Sequence, residues 1–167
     1  MTQAANNGYY MPLIQQIQKL EKASNLNAQK KHAIVDLLTL AANNHFVPAM
    51  ETLYFYYKDA LTQIDIDDLR KRSAIIGSRY AFVSYFEQYI QEAESGNKDA
   101  QIKLYQTALI EKLYTSKIMK VYEYAEGNDF PALTASEKQQ IRIKADTFIS
   151  NMTPVIYIDE LHPQFGF

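Results

Sequence analysis

The chain lacks cysteine and tryptophan entirely, and its 167 residues include only five glycines and five prolines. Without cysteine there is no disulfide, no thiol nucleophile and no cysteine-ligated metal site, although this absence does not select a cellular compartment. The scarcity of glycine and proline favours long helices joined by short connections.

Long apolar runs and an excess of one charge are absent as well. No stretch approaches the roughly 18 apolar residues of a membrane span, and the opening MTQAANNGYY has neither the basic nor the apolar region of a signal peptide. The net charge of −2 gives the chain as a whole no electrostatic footprint for nucleic acid. We therefore expect a cytoplasmic protein, or a periplasmic or secreted one if a signal peptide precedes this segment.

Motifs for catalysis, metal binding and phosphate binding are also missing. The histidines His32, His45 and His162 lack metal-ligand spacing, and neither an HExxH motif nor a glycine-rich phosphate loop occurs. The acidic run DIDD at 65–68 lacks the glycine and the spacing of a calcium loop and is more typical of a helix start. The sequence predicts no catalytic residue, no metal and no cofactor, and does not favour an enzyme.

What the chain does contain is helical periodicity. With 47% hydrophobic and 22% charged residues it has the composition of a folded protein, and its length predicts a single domain over 1–167. Apolar spacing predicts about six helices, over 11–23, 28–42, 48–61, 66–93, 98–125 and 137–151, followed by a non-helical tail over 153–167. We expect an all-α fold, either repeat-like helical hairpins or a compact irregular helical bundle.

Capping residues mark several of the predicted helix boundaries. Asn27 and Asp65 are expected N-caps, and Ser136 with Gln139 has the spacing of a capping box. Gly96 is a natural helix stop. The helical spacing of apolar residues continues without interruption through 66–93, and this segment is predicted as one continuous helix.

A short pattern recurs at the predicted turns. Residues 42–49 read ANNHFVPA, 93–100 read AESGNKDA and 125–132 read AEGNDFPA, each with a second alanine seven positions after the first. The first two continue alike, with a leucine and a tyrosine at 53–54 and at 104–105. The pattern resembles the Sel-one-like subclass of tetratricopeptide repeats. This resemblance implies a bacterial scaffold or adaptor built from stacked helical hairpins.

One candidate contact surface lies on the predicted helix over 48–61. On a helical wheel Phe55 falls opposite the apolar stripe, on the same side as Glu51 and Lys58. Aromatic residues are enriched at protein interfaces. Phe55 is therefore a partner contact that is exposed in the free protein, a lone exposed phenylalanine without a role, or a side chain covered by another helix.

A second group of candidates lies on the predicted helix over 66–93. Gly77 and Ala81 belong to a stripe of small residues, which either meets another helix of this chain or forms a groove for a partner segment. Arg79 lies on the bulky face with Phe82. There it either reaches solvent or pairs with a structural acid, or it anchors an anion in a pocket.

These features predict that the chain binds another protein, as an adaptor or scaffold. An immunity protein or other dedicated inhibitor is an alternative, since the chain is small, helical and without catalytic motifs. An enzyme or small-ligand-binding protein with a pocket near Arg79 is the alternative from a different class. A polar cavity at Arg79 with convergent tyrosine hydroxyls would favour that class, whereas a grooved apolar surface would favour a binding module. The pattern does not specify an oligomeric state.

Overall fold

The structure, a computed structural model, describes residues 10–22, 27–115, 133–156 and Leu161, and every regular element in these ranges is a helix. The elements are α1 (Met11–Glu21), α2 (Ala28–Asn43), α3 (Val47–Tyr56), a 3₁₀ turn (Lys58–Ala60), α4 (Gln63–Ile75), α5 (Arg79–Glu94), α6 (Lys98–Thr115) and α7 (Ala135–Ser150). The predicted all-α class is confirmed. None of the helices in the described ranges is long and apolar enough to cross a membrane.

Backbone contacts divide the chain into two compact units, one of residues 1–73 and 155–167 and the other of residues 74–154. In the first unit α1 packs on α2 and α2 on α3. Its best-buried apolar side chains are Leu13, Ile14, Ile17, Ile34, Leu38, Met50 and Leu53. In the second unit α6 packs on both α5 and α7, around a core that includes Phe82, Tyr105, Leu109, Ile110, Ile141 and Ala145. A single domain over 1–167 stays a prediction.

Two predicted boundaries are confirmed by their hydrogen bonds. The Asn27 side chain accepts a hydrogen bond from the backbone N–H of Lys30 at 2.9 Å, and so it caps α2. Gly96 follows the end of α5 with a φ of +92°, the left-handed conformation that glycine adopts without strain.

The predicted caps of α4 and α7 are wrong by a few residues. Thr62, and not Asp65, precedes α4, and the Asp65 backbone N–H donates to the Thr62 hydroxyl at 3.2 Å. Thr134 caps α7 and exchanges capping-box bonds with Glu137. The sequence offers two overlapping boxes there, and the one with a carboxylate forms because a charged acceptor binds the N–H more strongly than an amide does.

The predicted continuous helix over 66–93 is two helices, α4 and α5. Gly77 has a φ of +92°, and its N–H donates to the carbonyl of Ala74 at 3.0 Å. Directly after it, the Ser78 hydroxyl accepts from the Ala81 N–H at 3.2 Å. Gly77 therefore ends one helix and Ser78 begins the next.

The predicted helix over 48–61 is also shorter than expected. Tyr57 leaves the helical conformation with a φ of −121°, and only a 3₁₀ turn follows it. The Tyr57 ring is buried, and its hydroxyl donates to the carboxylate of Glu21 at 3.0 Å.

The first two of the three similar segments form turns with the same geometry. His45 has a φ of +66° and Gly96 of +92°, at equivalent positions of the two segments. The His45 N–H donates to the carbonyl of Ala42 at 3.0 Å, and the Gly96 N–H donates to the carbonyl of Ala93 at 3.1 Å, in each case three residues back. In both turns the next N–H donates five residues back, which completes a Schellman motif.

Three further predictions fall wholly or partly outside the described residues. These are the third segment at 125–132, the end of the predicted helix over 98–125, and most of the tail. The part of the tail at 153–156 is non-helical, as expected, and the Thr153 N–H donates to the Ile75 carbonyl at 2.8 Å. The likeness to a repeat family stays a prediction.

Candidate functional site

The predicted contact face around Phe55 differs from expectation. Phe55 is half-buried, with its ring 5.0 Å from that of Tyr54, and Glu51 is only 6% exposed. Lys58 is exposed, but it lies in the 3₁₀ turn. Because α3 ends at Tyr56, the three candidates do not form one exposed face of a helix.

The stripe of small residues is interrupted at Gly77, which lies in the turn between α4 and α5. Ala81 is 0% exposed and belongs to the core of the second unit. A Cβ atom at Gly77 would lie 2.6 Å from the Tyr114 hydroxyl. Of the two alternatives for the stripe, the structure supports internal packing for Ala81 and shows no continuous groove along the stripe.

Arg79 is the first residue of α5 and is half-buried. Its positive charge acts on Glu111 of α6, a carboxyl group that is 5% exposed. Burial raises the pKa of Glu111, and Arg79 partly opposes that rise. Arg79 is thus close enough to an acid of its own unit for its charge to act on that carboxyl group, and a structural ion pair at Arg79 stays a prediction.

The hairpin of α5 and α6 carries an open cleft of about 190 Å³ that sequence analysis missed. Its lining residues are Phe82, Tyr85 and Tyr89 of α5, Lys103, Gln106, Thr107 and Ile110 of α6, and Phe148 of α7. Residues three or four apart share one helix face, so each helix presents about two turns to the cleft. The Gly96 turn brings these two faces together.

The antiparallel register of the hairpin determines which side chains meet across the cleft. Because α5 and α6 run antiparallel on either side of the Gly96 turn, a residue before the turn faces one about equally far after it. Tyr89 lies near Lys103 at one end of the cleft, and Phe82 and Ile110, which share a core cluster, belong to the other. The rings of Tyr85 and Tyr89 stack with centroids 6.0 Å apart. Phe82 is 2% exposed, so its ring lies deep at its end of the cleft.

The two ends of the cleft differ in polarity. At the Phe82 end the ring of Phe148 stands edge-on at a centroid distance of 6.3 Å, so this end is apolar. At the other end the Lys103 ammonium lies 5.4 Å from the centroid of the Tyr89 ring. Such a cation–π contact fixes the ammonium over the aromatic wall. Among the described lining residues Lys103 is the only charged one.

Lys103 has an exposed side chain, and no carboxylate of the described residues lies within ion-pair distance of its ammonium. The Thr107 hydroxyl is occupied within α6, because it donates to the Lys103 carbonyl at 2.9 Å. Gln106 is half-buried beside it. The described lining therefore offers aromatic rings, two of which carry tyrosine hydroxyls, together with one amide and one cation, and it has no carboxylate.

The signal that could have revealed the cleft was present in the sequence. Phe82, Tyr85 and Tyr89 have helical spacing, and Gly96 marks the turn that folds α6 back on α5. The local pattern places Phe82 on a bulky face of its helix but does not pair that face with α6. The contribution of Phe148 has no local signal, because α7 is distant along the chain.

Among the described residues no group of histidine and carboxylate side chains could hold a metal ion. No family model, curated protein or solved structure matches the chain. The function must therefore be inferred from the residues of the cleft and from the fold that places them.

Proposed function

We propose that this chain is a protein-binding module, and that the α5–α6 cleft accepts a side chain of the partner. The aromatic cleft is the observation that carries this proposal. Its walls are half-buried tyrosines, and tyrosine is enriched among the residues that contribute most to binding at protein interfaces. A tyrosine also loses little conformational entropy on binding, since it has only two side-chain torsions.

The size of the cleft favours a side chain over a whole small molecule. Its volume is about 190 Å³, below the roughly 300–1,000 Å³ of pockets that enclose drug-sized ligands. The cleft is open to solvent along the hairpin, so that a polypeptide can lie across it. An adaptor, a scaffold and an inhibitor would all use such a surface, and the identity of the partner distinguishes them.

The alternative of a ligand pocket at Arg79 receives less support. Arg79 acts on the buried carboxyl group of Glu111, and it does not line the cleft. An opposite charge within the same unit already compensates the half-buried Arg79 in part, so the arrangement does not require a ligand.

The proposal is tested with two variants that change the cleft in opposite ways. Tyr89→Ala removes one wall, whereas Gln106→Trp fills the space and leaves the wall residues in place. Tyr56→Ala is the matched control, because Tyr56 is 63% exposed on α3 and does not line the cleft. Each protein is immobilised and used to capture partners from an extract of the source organism.

The expected result is a set of proteins retained by the wild type and by Tyr56→Ala but lost with both cleft variants. The melting temperature of each variant is measured in parallel, so that loss of fold is separated from loss of contact. If folded Gln106→Trp retains the same proteins as the wild type, the cleft is not the binding site.

A further inference from the structure

We propose that the partner segment carries a carboxylate beside its apolar anchor, and that Lys103 binds this carboxylate. The inference rests on the proposed binding role of the cleft and adds the chemistry of the partner. The anchor occupies the apolar end at Phe82, and the acidic side chain reaches the other end at Tyr89.

The position of Lys103 is the first part of the argument. Its ammonium lies 5.4 Å from the centroid of the Tyr89 ring. The ring therefore covers one side of the cation. An ammonium group has three N–H donors, and no carboxylate in the described ranges lies within ion-pair distance of them. Within the described part of the chain these donors have no carboxylate acceptor, and in the proposed complex the partner supplies it.

The cost of covering Lys103 is the second part. A partner that closes over the cleft removes water from the ammonium, and an unpaired charge that loses water is strongly disfavoured. A neutral segment would leave this penalty uncompensated, and a basic segment would add repulsion to it. A carboxylate compensates the penalty, and the surrounding aromatic rings lower the local dielectric and so strengthen the attraction.

A carboxylate fits better than a phosphate group. Sites for phosphorylated segments generally use clustered arginines that bind the dianion through several donors. Among the described lining residues this cleft has one lysine and no arginine. The charge of one cation is matched by one carboxylate.

The length of the cleft sets the spacing within the partner. Phe82 and Tyr89 lie seven positions apart on α5, which is about 10 Å along a helix axis. An extended peptide covers that distance in about three residues. The expected motif is thus an aromatic or aliphatic residue with aspartate or glutamate about three positions away, in either direction.

The test uses a display library of random ten-residue peptides on an inert carrier. Peptides are selected on the wild-type protein and counter-selected on Gln106→Trp, so that only peptides that require the open cleft remain. We expect the enriched peptides to share the apolar anchor and the acid at the stated spacing.

The best selected peptide and its Glu→Gln or Asp→Asn counterpart are then titrated against the wild type and Lys103→Gln. We expect Lys103→Gln to weaken the acidic peptide by up to about fivefold. The same variant should bind the amide peptide at least as tightly as the wild type does, because it removes the uncompensated charge. Lys103→Arg should retain most of the affinity. Lys71→Glu, at an exposed lysine of α4 outside the cleft, should bind as the wild type does.

The outcomes separate the two proposals. If no peptide requires the open cleft, both the binding role of the cleft and the inference are wrong. If cleft-dependent peptides lack acids, or if Lys103→Gln weakens the acidic and amide peptides equally, the binding role stands and the carboxylate is wrong. Because the Lys103 side chain is exposed, the variants should keep the wild-type melting temperature, which makes each titration interpretable.

Discussion

At the scale of single residues, Gly77 and Gly96 share a backbone conformation but not an environment. Both have a φ of +92°. A Cβ atom at Gly77 would lie 2.6 Å from the Tyr114 hydroxyl and 3.4 Å from Pro154, whereas at Gly96 it would meet nothing within 4 Å. A substitution at Gly96 therefore tests only the left-handed conformation, whereas a substitution at Gly77 tests both that conformation and the available space.

We expect Gly96→Leu to lower the free energy of unfolding by about 1–2 kcal/mol, the cost of a left-handed conformation for a residue with a Cβ. Gly77→Leu carries the same conformational cost plus overpacking against Tyr114, on the order of 1–3 kcal/mol more. Denaturant unfolding of both variants measures the difference. Equal losses would show that the space at Gly77 is not restricted, and a stabilised Gly77→Leu would contradict the left-handed turn itself.

Glu111 gives a prediction about pH. Burial raises the pKa of its carboxyl group in the folded protein, with Arg79 opposing the rise. A raised folded-state pKa means that the folded protein holds the proton more tightly than the unfolded chain does. Ionisation therefore destabilises the fold, and this loss grows as the pH rises from about 4, the ordinary glutamate range, through the raised pKa.

Glu111→Gln removes this titration and keeps the shape of the side chain. Relative to the wild type, we expect the variant to gain stability as the pH rises from 4 to 7, measured by denaturant unfolding at each pH. A constant difference between the two proteins would contradict the raised pKa, and a gain towards low pH would reverse its sign.

At the scale of elements, the start of α7 shows how a charged partner selects between two possible caps. Glu137 accepts hydrogen bonds from the Thr134 backbone N–H and hydroxyl, each at 2.8 Å, and pairs with Lys98 of α6 at 2.6 Å. The bond from Lys98, followed by those from Thr134, lowers the pKa of Glu137 to about 2. Gln139 cannot form the ion pair, so the box that starts at Ser136 is not used.

Thr134→Ala should therefore destabilise the protein by about 0.5–2 kcal/mol, since it removes the N-cap of α7. Ser136→Ala is the control, and it should be neutral or slightly stabilising because alanine is the better residue inside a helix. Thermal unfolding of the two variants measures this contrast. If Ser136→Ala destabilises the protein more than Thr134→Ala does, Ser136 and not Thr134 is the N-cap of α7.

Sequence patterns predicted the elements whose signals are local. The Asn27 cap and the Gly96 stop each depend on a few neighbouring residues, and both are confirmed. The break at Gly77 was missed because small and apolar residues continue on both sides of it, so the periodicity conceals a left-handed residue followed directly by a cap at Ser78. The cleft was missed because it requires pairing across a hairpin and a ring from a third helix, Phe148, which no local pattern specifies.

At the scale of the whole molecule, the second unit has a core of its own. The buried residues of its two apolar clusters all lie between Ala74 and Met152, within the boundaries 74–154 of that unit. Its helices are joined by the Gly96 turn and by the ion pair between Lys98 and Glu137. The described residues that line the aromatic cleft all belong to this unit.

These features predict that a fragment of residues 74–154 folds by itself. The buried residues of these two clusters pack against one another within the fragment, so their burial should offset the entropy of ordering the chain. We expect a helical circular dichroism spectrum, a cooperative thermal transition, and binding of the peptides selected on the whole chain with affinity within about threefold of the whole chain. The same fragment with Phe82→Ala, which removes a core ring, should lose the cooperative transition. A fragment without helical structure would instead support the single domain over 1–167 that chain length predicts, with a core that needs residues from both units.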